Sequence, residues 1–321
     1  MLSAPDPIAV KFFTTVNRGN QNESQDSYIF MKRKLLPFFA LGILLSLFVG
    51  IWMAGSALSK PVPQSIGDLP ADLAGRPVQF PSESGATIHG WFIPGKKGKG
   101  AVALMHGVHS NRLSMLDRGR FLSHAGYSVL LFDFQAHGES TGNHITFGYL
   151  ESQDAKAAIS FLRSSAPREK IGLIGVSMGG AAALLASPAL DLNAMVLEMV
   201  YPTIKQAVSD RLTMRLGRWS SVLTPLLTWQ LKPRLGIDAD ALRPIDKVGN
   251  IRAPKLFIVG ADDQHTTLEE SREMFKVASE PKELWIVKGA KHVDLHQVAK
   301  QEYEQRVVGF FEQHLKKADG L

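Results

Sequence analysis

Cysteine is absent from all 321 residues. That excludes disulfides, thiolate metal sites and a cysteine nucleophile. It leaves the compartment open, because a chain without cysteine can work in oxidising or reducing surroundings. No His-Glu-x-x-His segment or other metal-ligand spacing occurs, and no cofactor is called for. Internal repeats are missing, and composition typical of disorder does not appear after the first thirty residues. At 45% hydrophobic content the chain has enough apolar material for one large domain with an appendage. A one-sided charge is missing from most of the chain. The net +6, from 36 Lys and Arg against 30 Asp and Glu, is concentrated in residues 1–60 and 201–252. No module of basic and aromatic residues accompanies it, so nucleic acid is not the expected partner. A membrane surface or an anionic substrate fits the placement better.

Charge is lacking altogether from Leu35 to Ser59, and Leu35 to Ala54 is almost continuously apolar. About 20 apolar residues suffice to span a bilayer as a helix. Lys32-Arg33-Lys34 just before the stretch predicts a cytoplasmic N-terminus. The rest of the chain would then face the periplasm or cell exterior. The rival reading is a cleaved signal peptide with Gly55-Ser56-Ala57 at the cleavage site, which would release a secreted protein. The apolar stretch exceeds the usual signal core, which favours a retained anchor. Residues 1–34 therefore read as a tail and 35–59 as the anchor. Met31, just before the Lys-Arg-Lys cluster, reads as a candidate start of translation, from which residues 1–30 would not be translated. Pro61, Pro63, Gly67, Pro70 and Pro77 mark 60–77 as an extended linker.

From residue 78 to 318 short apolar runs alternate with helical patterns, the rhythm of an α/β sheet. Strands are predicted near 78–80, 86–93, 101–105, 128–133, 171–175, 194–198, 255–259 and 283–288. Helices are predicted near 113–125, 149–164, 178–187, 267–278 and 298–316. Ser84-Gly85 suggests an antiparallel start, and the helical crossovers suggest that the later strands are parallel. The result is an eight-stranded, mostly parallel sheet flanked by helices. Residues 201–252 break the rhythm with Trp219, Trp229, leucines and a basic cluster. Between the sixth and seventh strands they would form a small helical cap over the carboxyl edge, where ligands bind.

The chemistry centres on Gly175-x-Ser177-x-Gly179, between an apolar strand and a small-residue helix. This is the pattern of a nucleophile elbow, which exposes a serine on a strained strand-to-helix corner. A Cβ at either glycine would strike neighbouring backbone. The backbone N–H of Met178 is one expected oxyanion donor. Ser177 needs a base, and the base needs an orienting carboxylate. The seventh strand ends in Gly260-Ala-Asp262-Asp263 and the eighth in Gly289-Ala-Lys-His292. Both lie on the same sheet edge as Ser177, in the order Ser, Asp, His.

Five pieces in sequence carry a resemblance over residues 78–316: Leu104-Met-His106-Gly107-Val108, Asp133-Phe-Gln-Ala-His137-Gly138-Glu-Ser140, Gly175-Val-Ser177-Met178-Gly179, Gly260-Ala-Asp-Asp263 and Gly289-Ala-Lys-His292. Together they resemble an α/β-hydrolase of the serine aminopeptidase/monoacylglycerol lipase-like group, in particular its membrane-anchored bacterial members. The resemblance implies the fold and a serine hydrolase, with a small-molecule acyl substrate. It places the acid three residues after Gly260, at Asp263 rather than Asp262, and the second oxyanion donor at Val108. Glu198, ending the sixth strand, is a third option for the acid because some relatives take it from there.

His292 is the expected base. His106 and His137 read as loop-shaping, as do Asp133 and Ser140. His109, His144, His265 and His296 are candidates to line the cleft, and His89, His124 and His314 fall in strand or helix patterns. Serine at the elbow excludes the aspartate-nucleophile dehalogenases and epoxide hydrolases that share this fold. A basic cap favours ester or thioester hydrolysis over aminopeptidase-type amide cleavage. The other alternative is a non-catalytic, membrane-anchored binding module of the same fold.

Overall fold

The structure is a computed structural model that describes residues 7–316. By internal contacts the chain divides into two units, one ending at Ala54 and one from Gly55 onward. Helix α1 runs Pro7–Leu58. Of the residues 1–34 expected as a tail, 7–34 are helical. No proline interrupts Ile8–Leu36, so local backbone hydrogen bonds can continue upstream. Within α1, Phe30–Leu58 is long and apolar enough to cross a membrane, with a mean hydropathy of 2.3 and none of its most apolar stretch buried.

The second unit begins earlier than the predicted domain start at 78. The predicted linker is extended but seated on the domain. Strand β1 (Val62–Pro63) pairs in parallel with β6 (His137–Gly138), and Leu73 is buried. The main sheet contains β2 (Arg76–Pro81), β3 (Thr87–Ile93), β4 (Ala101–Met105), β5 (Ser128–Phe132), β7 (Ile171–Val176), β8 (Ala194–Glu198), β9 (Lys255–Gly260) and β10 (Lys282–Val287). Its order is β10-β9-β8-β7-β4-β5-β3-β2. β2 and β3 are antiparallel to their neighbours and the remaining pairs are parallel.

Strand alternation builds a core on each face. On β4, Ala101, Ala103 and Met105 join Ala155 and Ala158 of α3 (Glu151–Ser165), Ala181 of α4 (Met178–Leu185) and Met274 of α9 (Leu268–Val277). Val102 and Leu104 face the other way, toward Leu122 of α2 (Leu116–His124) and Val307 and Phe311 of α11 (Lys300–Leu315). A short helix α10 (Leu295–Val298) precedes α11. The insertion after β8 is helical, as the sequence predicted: α5 (Ile204–Leu216), α6 (Ser220–Trp229), α7 (Leu231–Leu235) and α8 (Ile245–Val248).

Candidate active site

The loops that follow β4, β7, β9 and β10 all leave the carboxyl edge of the parallel strands. They carry Val108, Ser177, Asp263 and His292 respectively. The chain reverses its direction of sheet growth between β4 and β7, so Val108 and Ser177 flank the switch point where such sheets bind ligands. Local sequence sets the corner. Ser177 sits at φ 49° and ψ −112°, a region that a side chain occupies at a cost of about 1–3 kcal/mol. Its backbone N–H donates to Glu198 O at 2.8 Å, and its carbonyl accepts from Ala181 N at 3.0 Å. A Cβ on Gly175 would lie 2.6 Å from Gly180 Cα, and one on Gly179 would run into the Met105 carbonyl. Only glycine lets β7, α4 and the loop after β4 approach this closely.

A Cβ built on Gly107 would stand 3.8 Å from Ser177 Cβ, so the Val108 loop adjoins the elbow. Neither the Val108 nor the Met178 backbone N–H donates a hydrogen bond among the described residues. His106 and His137 hold this loop, as their motif suggested. His106 Nε2 accepts from Phe134 N at 3.0 Å, which leaves Nδ1–H to donate to Gly107 O at 2.7 Å. Burial, together with the neighbouring His137, pushes His106 down to about 3, so it stays neutral. His137 Nε2 accepts from His109 N at 3.2 Å. Asp133 takes the Arg112 and Glu139 backbone N–H groups at 2.7 and 3.0 Å and pairs with the Arg112 guanidinium. Ser140 donates to Asp133 O.

His292 Nδ1–H donates to Asp263 Oδ2 at 2.7 Å. The buried Asp263 also accepts His265 N at 2.7 Å and Thr266 N at 3.1 Å on Oδ1, which fixes the carboxylate plane. Asp262 is exposed, and its backbone N–H donates to Ala290 O. Glu198 is committed elsewhere. Arg118 Nε and Nη2 grip its two oxygens at 3.0 and 2.7 Å, and Tyr303 donates to it. The Ser177 hydroxyl makes no hydrogen bond among the described residues. The structure thus joins His292 to Asp263 and Ser177 to the donor loop without a direct Ser177–His292 bond.

Of the cleft histidines, His109 lines the cavity at Ser177. His265 lies with its ring centre 4.9 Å from that of His292, and burial with the charge of His292 lowers its pKa. His144 is exposed. His296 is buried against Phe121 and Tyr303 and bonds Glu304 at 2.9 Å. The cavity holds about 130 Å³ and is mainly apolar, walled by Val108, Phe147, Ile204, Val208, Leu227 and Leu231, with Ser177 and Met178 in its lining. Among the described residues its only charged lining residues are Arg211 and Arg234, and none of the lining residues carries a carboxylate. The sequence marks Arg211 only as part of the cap's basic cluster and does not mark Phe147 or Ile204; the three come together only when the cap folds over the sheet.

A family profile described as serine aminopeptidase, S33, matches residues 96–242. An esterase of Pyrococcus furiosus, Pf2001, superposes with a TM-score of 0.67 at 25% identity over 80% of this chain and 98% of its own. The chain has the α/β-hydrolase fold. The hydrolase also aligns with the uncharacterised YqkD protein of Bacillus subtilis, at 26% identity over 73% of this chain and 78% of that protein. An uncharacterised Mycobacterium tuberculosis protein, Rv2307c, is 27% identical over 73% of the hydrolase and 77% of its own length. An acylaminoacyl peptidase of Pyrococcus horikoshii, at 20% identity and a TM-score of 0.56 over 77% of this chain and 43% of its own, shares the fold.

Proposed function

We propose that this protein is a serine hydrolase that cleaves a carboxylic ester or thioester through an acyl-enzyme. The observation that carries the reading is the Asp263–His292 contact of 2.7 Å on the sheet edge that bears the strained Ser177 elbow. Asp263 accepts only, so it holds the proton on His292 Nδ1 and leaves Nε2 as the base. His292 takes the Ser177 proton as Oγ bonds to the acyl carbon. The carbonyl oxygen becomes an oxyanion, facing the free N–H groups of Val108 and Met178; one such donor is worth about 3 kcal/mol in the transition state. The bond to the leaving group breaks as His292 protonates that group. Water then repeats the sequence, with its proton passing to His292 and back to Ser177 as the acid departs. A Ser177–His292 hydrogen bond, not made in this structure, is of the kind that forms when substrate binds.

An apolar cavity with two arginines and no carboxylate offers no partner for a free ammonium group, which favours an acyl ester over an aminoacyl amide. The likeness to the Pyrococcus esterase points the same way. The apolar stretch of α1 is a retained anchor, with Lys32-Arg33-Lys34 on the cytoplasmic side and the catalytic unit outside. A fluorophosphonate probe should label the wild-type chain at Ser177 and leave Ser177→Ala unlabelled, with kcat on short-chain esters reduced at least ~10³-fold. A wild-type chain inert to the probe and to a panel of esters and thioesters would remove the proposal.

A further inference from the structure

The last turn of α1 belongs to the catalytic unit, not to the unit that ends at Ala54. Gly55, Leu58 and Ser59 line the cavity beside Ser177, opposite Leu227, Leu231 and Leu235 of the cap. Polar contacts fix this turn in place. The Leu58 carbonyl bonds His109 Nε2 at 3.0 Å, the Ser59 carbonyl accepts Ile145 N at 2.9 Å, and Arg234 of α7 donates to Ser56 Oγ. The Gln230 side-chain amide lies directly over Gly55, so the cap packs closely on this turn. The charge-free apolar stretch ends at Ala54, and Leu58 follows one helical turn later.

The same cap is unusually apolar on its outside. Met214, Leu216, Trp219, Val222, Leu226 and Trp229 are all exposed, Trp219 at 61% and Trp229 at 56%. Arg215 and Arg218 are exposed among them. Tryptophan beside arginine, on an element tied to the end of an apolar helix, has the composition of a segment that lies in a lipid interface. The arginines complement an anionic headgroup layer. A patch of this kind on a soluble face would need a covering, and the covalent tether brings a bilayer within reach of it.

We infer that the cap's exposed apolar face rests on an anionic membrane surface, and that the cavity between the cap and the last turn of α1 admits an acyl chain from that membrane to Ser177. The inference rests on the anchor and serine-hydrolase readings above and adds the source of the substrate. Because the chain has no cysteine, one engineered thiol reports a single position. The full chain carrying Val222→Cys, labelled with an environment-sensitive nitrobenzoxadiazole dye, is reconstituted in vesicles of phosphatidylcholine and phosphatidylglycerol. The dye should shift to the blue and be quenched by doxyl-labelled lipid, whereas the same dye at Gln313→Cys stays water-like. In a second arm, Trp219→Ala/Trp229→Ala should lower the ratio of vesicle-borne long-chain ester hydrolysis to soluble p-nitrophenyl acetate hydrolysis about tenfold, mainly through KM.

A water-like Val222 dye, or an unchanged substrate ratio, overturns the inference. A blue shift without doxyl quenching also overturns it, because the face would then be covered by a second copy or another protein. Failure of the wild-type chain to float with vesicles refutes the anchor as well, and loss of all probe labelling refutes the hydrolase reading alone.

Discussion

Asp263 is the residue whose surroundings are most completely specified. Two backbone N–H groups hold one oxygen and the His292 ring holds the other. Asparagine would keep the shape, but its amide could donate to His292 Nδ1 and drive the imidazole proton onto Nε2. Asp263→Asn should therefore lower kcat by about 10⁴-fold while the fold is retained. Steady-state kinetics alongside a thermal melt checks this, and a loss under tenfold would remove Asp263 from its role. The Asp263–His292 pair was legible because both residues follow strand ends and carry the right chemistry. The choice between Asp262, Asp263 and Glu198 was not legible from residue type alone. It depends on Arg118, which is eighty positions from Glu198 in sequence and clamps that carboxylate inside the core. Gly175 and Gly179 were legible as necessities of the turn, and their surroundings in the structure leave no room for a side chain.

Two carboxyl groups face each other where the cap meets the core. Asp210 of α5 faces Glu270 of α9, whose other duty is to accept the Thr267 N–H at 2.9 Å in a capping box. Burial and then the neighbouring Glu270 carboxyl push Asp210 up to about 7; Arg211 opposes the shift and Asp263 adds to it. The folded state therefore binds this proton more tightly than the unfolded chain, whose carboxyl titrates near 3.8. The contribution to stability is complete below pH 3.8 and is lost as pH rises toward 7. Between pH 5 and 8 the melting temperature of the wild-type chain should fall with rising pH, and Asp210→Asn should flatten that component. Parallel slopes for the two proteins would exclude a shared proton at this contact. Sequence gave the helices of the cap but not this contact, since nothing local to Asp210 or Glu270 marks the other as a neighbour.

At the scale of the molecule, the end of α1 is both the end of an apolar helix and a wall of the catalytic unit. Cleavage after Ala57 would remove Gly55 and Ser56, and with them the seat of Gln230 and Arg234. The mature protein should therefore retain α1, and its intact mass after detergent extraction should include the residues before Gly55. A mass that begins at Leu58 would refute a retained anchor. The Pro-rich stretch after it read as a free spacer, yet it pairs with β6 and buries Leu73. A spacer and a docked strand share the same proline-punctuated pattern, and only the partner surface distinguishes them.

The sequence by itself determined the sheet, its eight strands, the elbow and the order of Ser177, Asp263 and His292. Strand alternation, glycine necessity and strand-end placement are local properties that a linear pattern records. Tertiary structure alone decided that the last turn of α1 lines the cavity, that the cap's tryptophans face outward, and that Glu198 is locked in a buried ion pair. Each of these is a contact between segments far apart in the chain, set by packing that no local periodicity encodes.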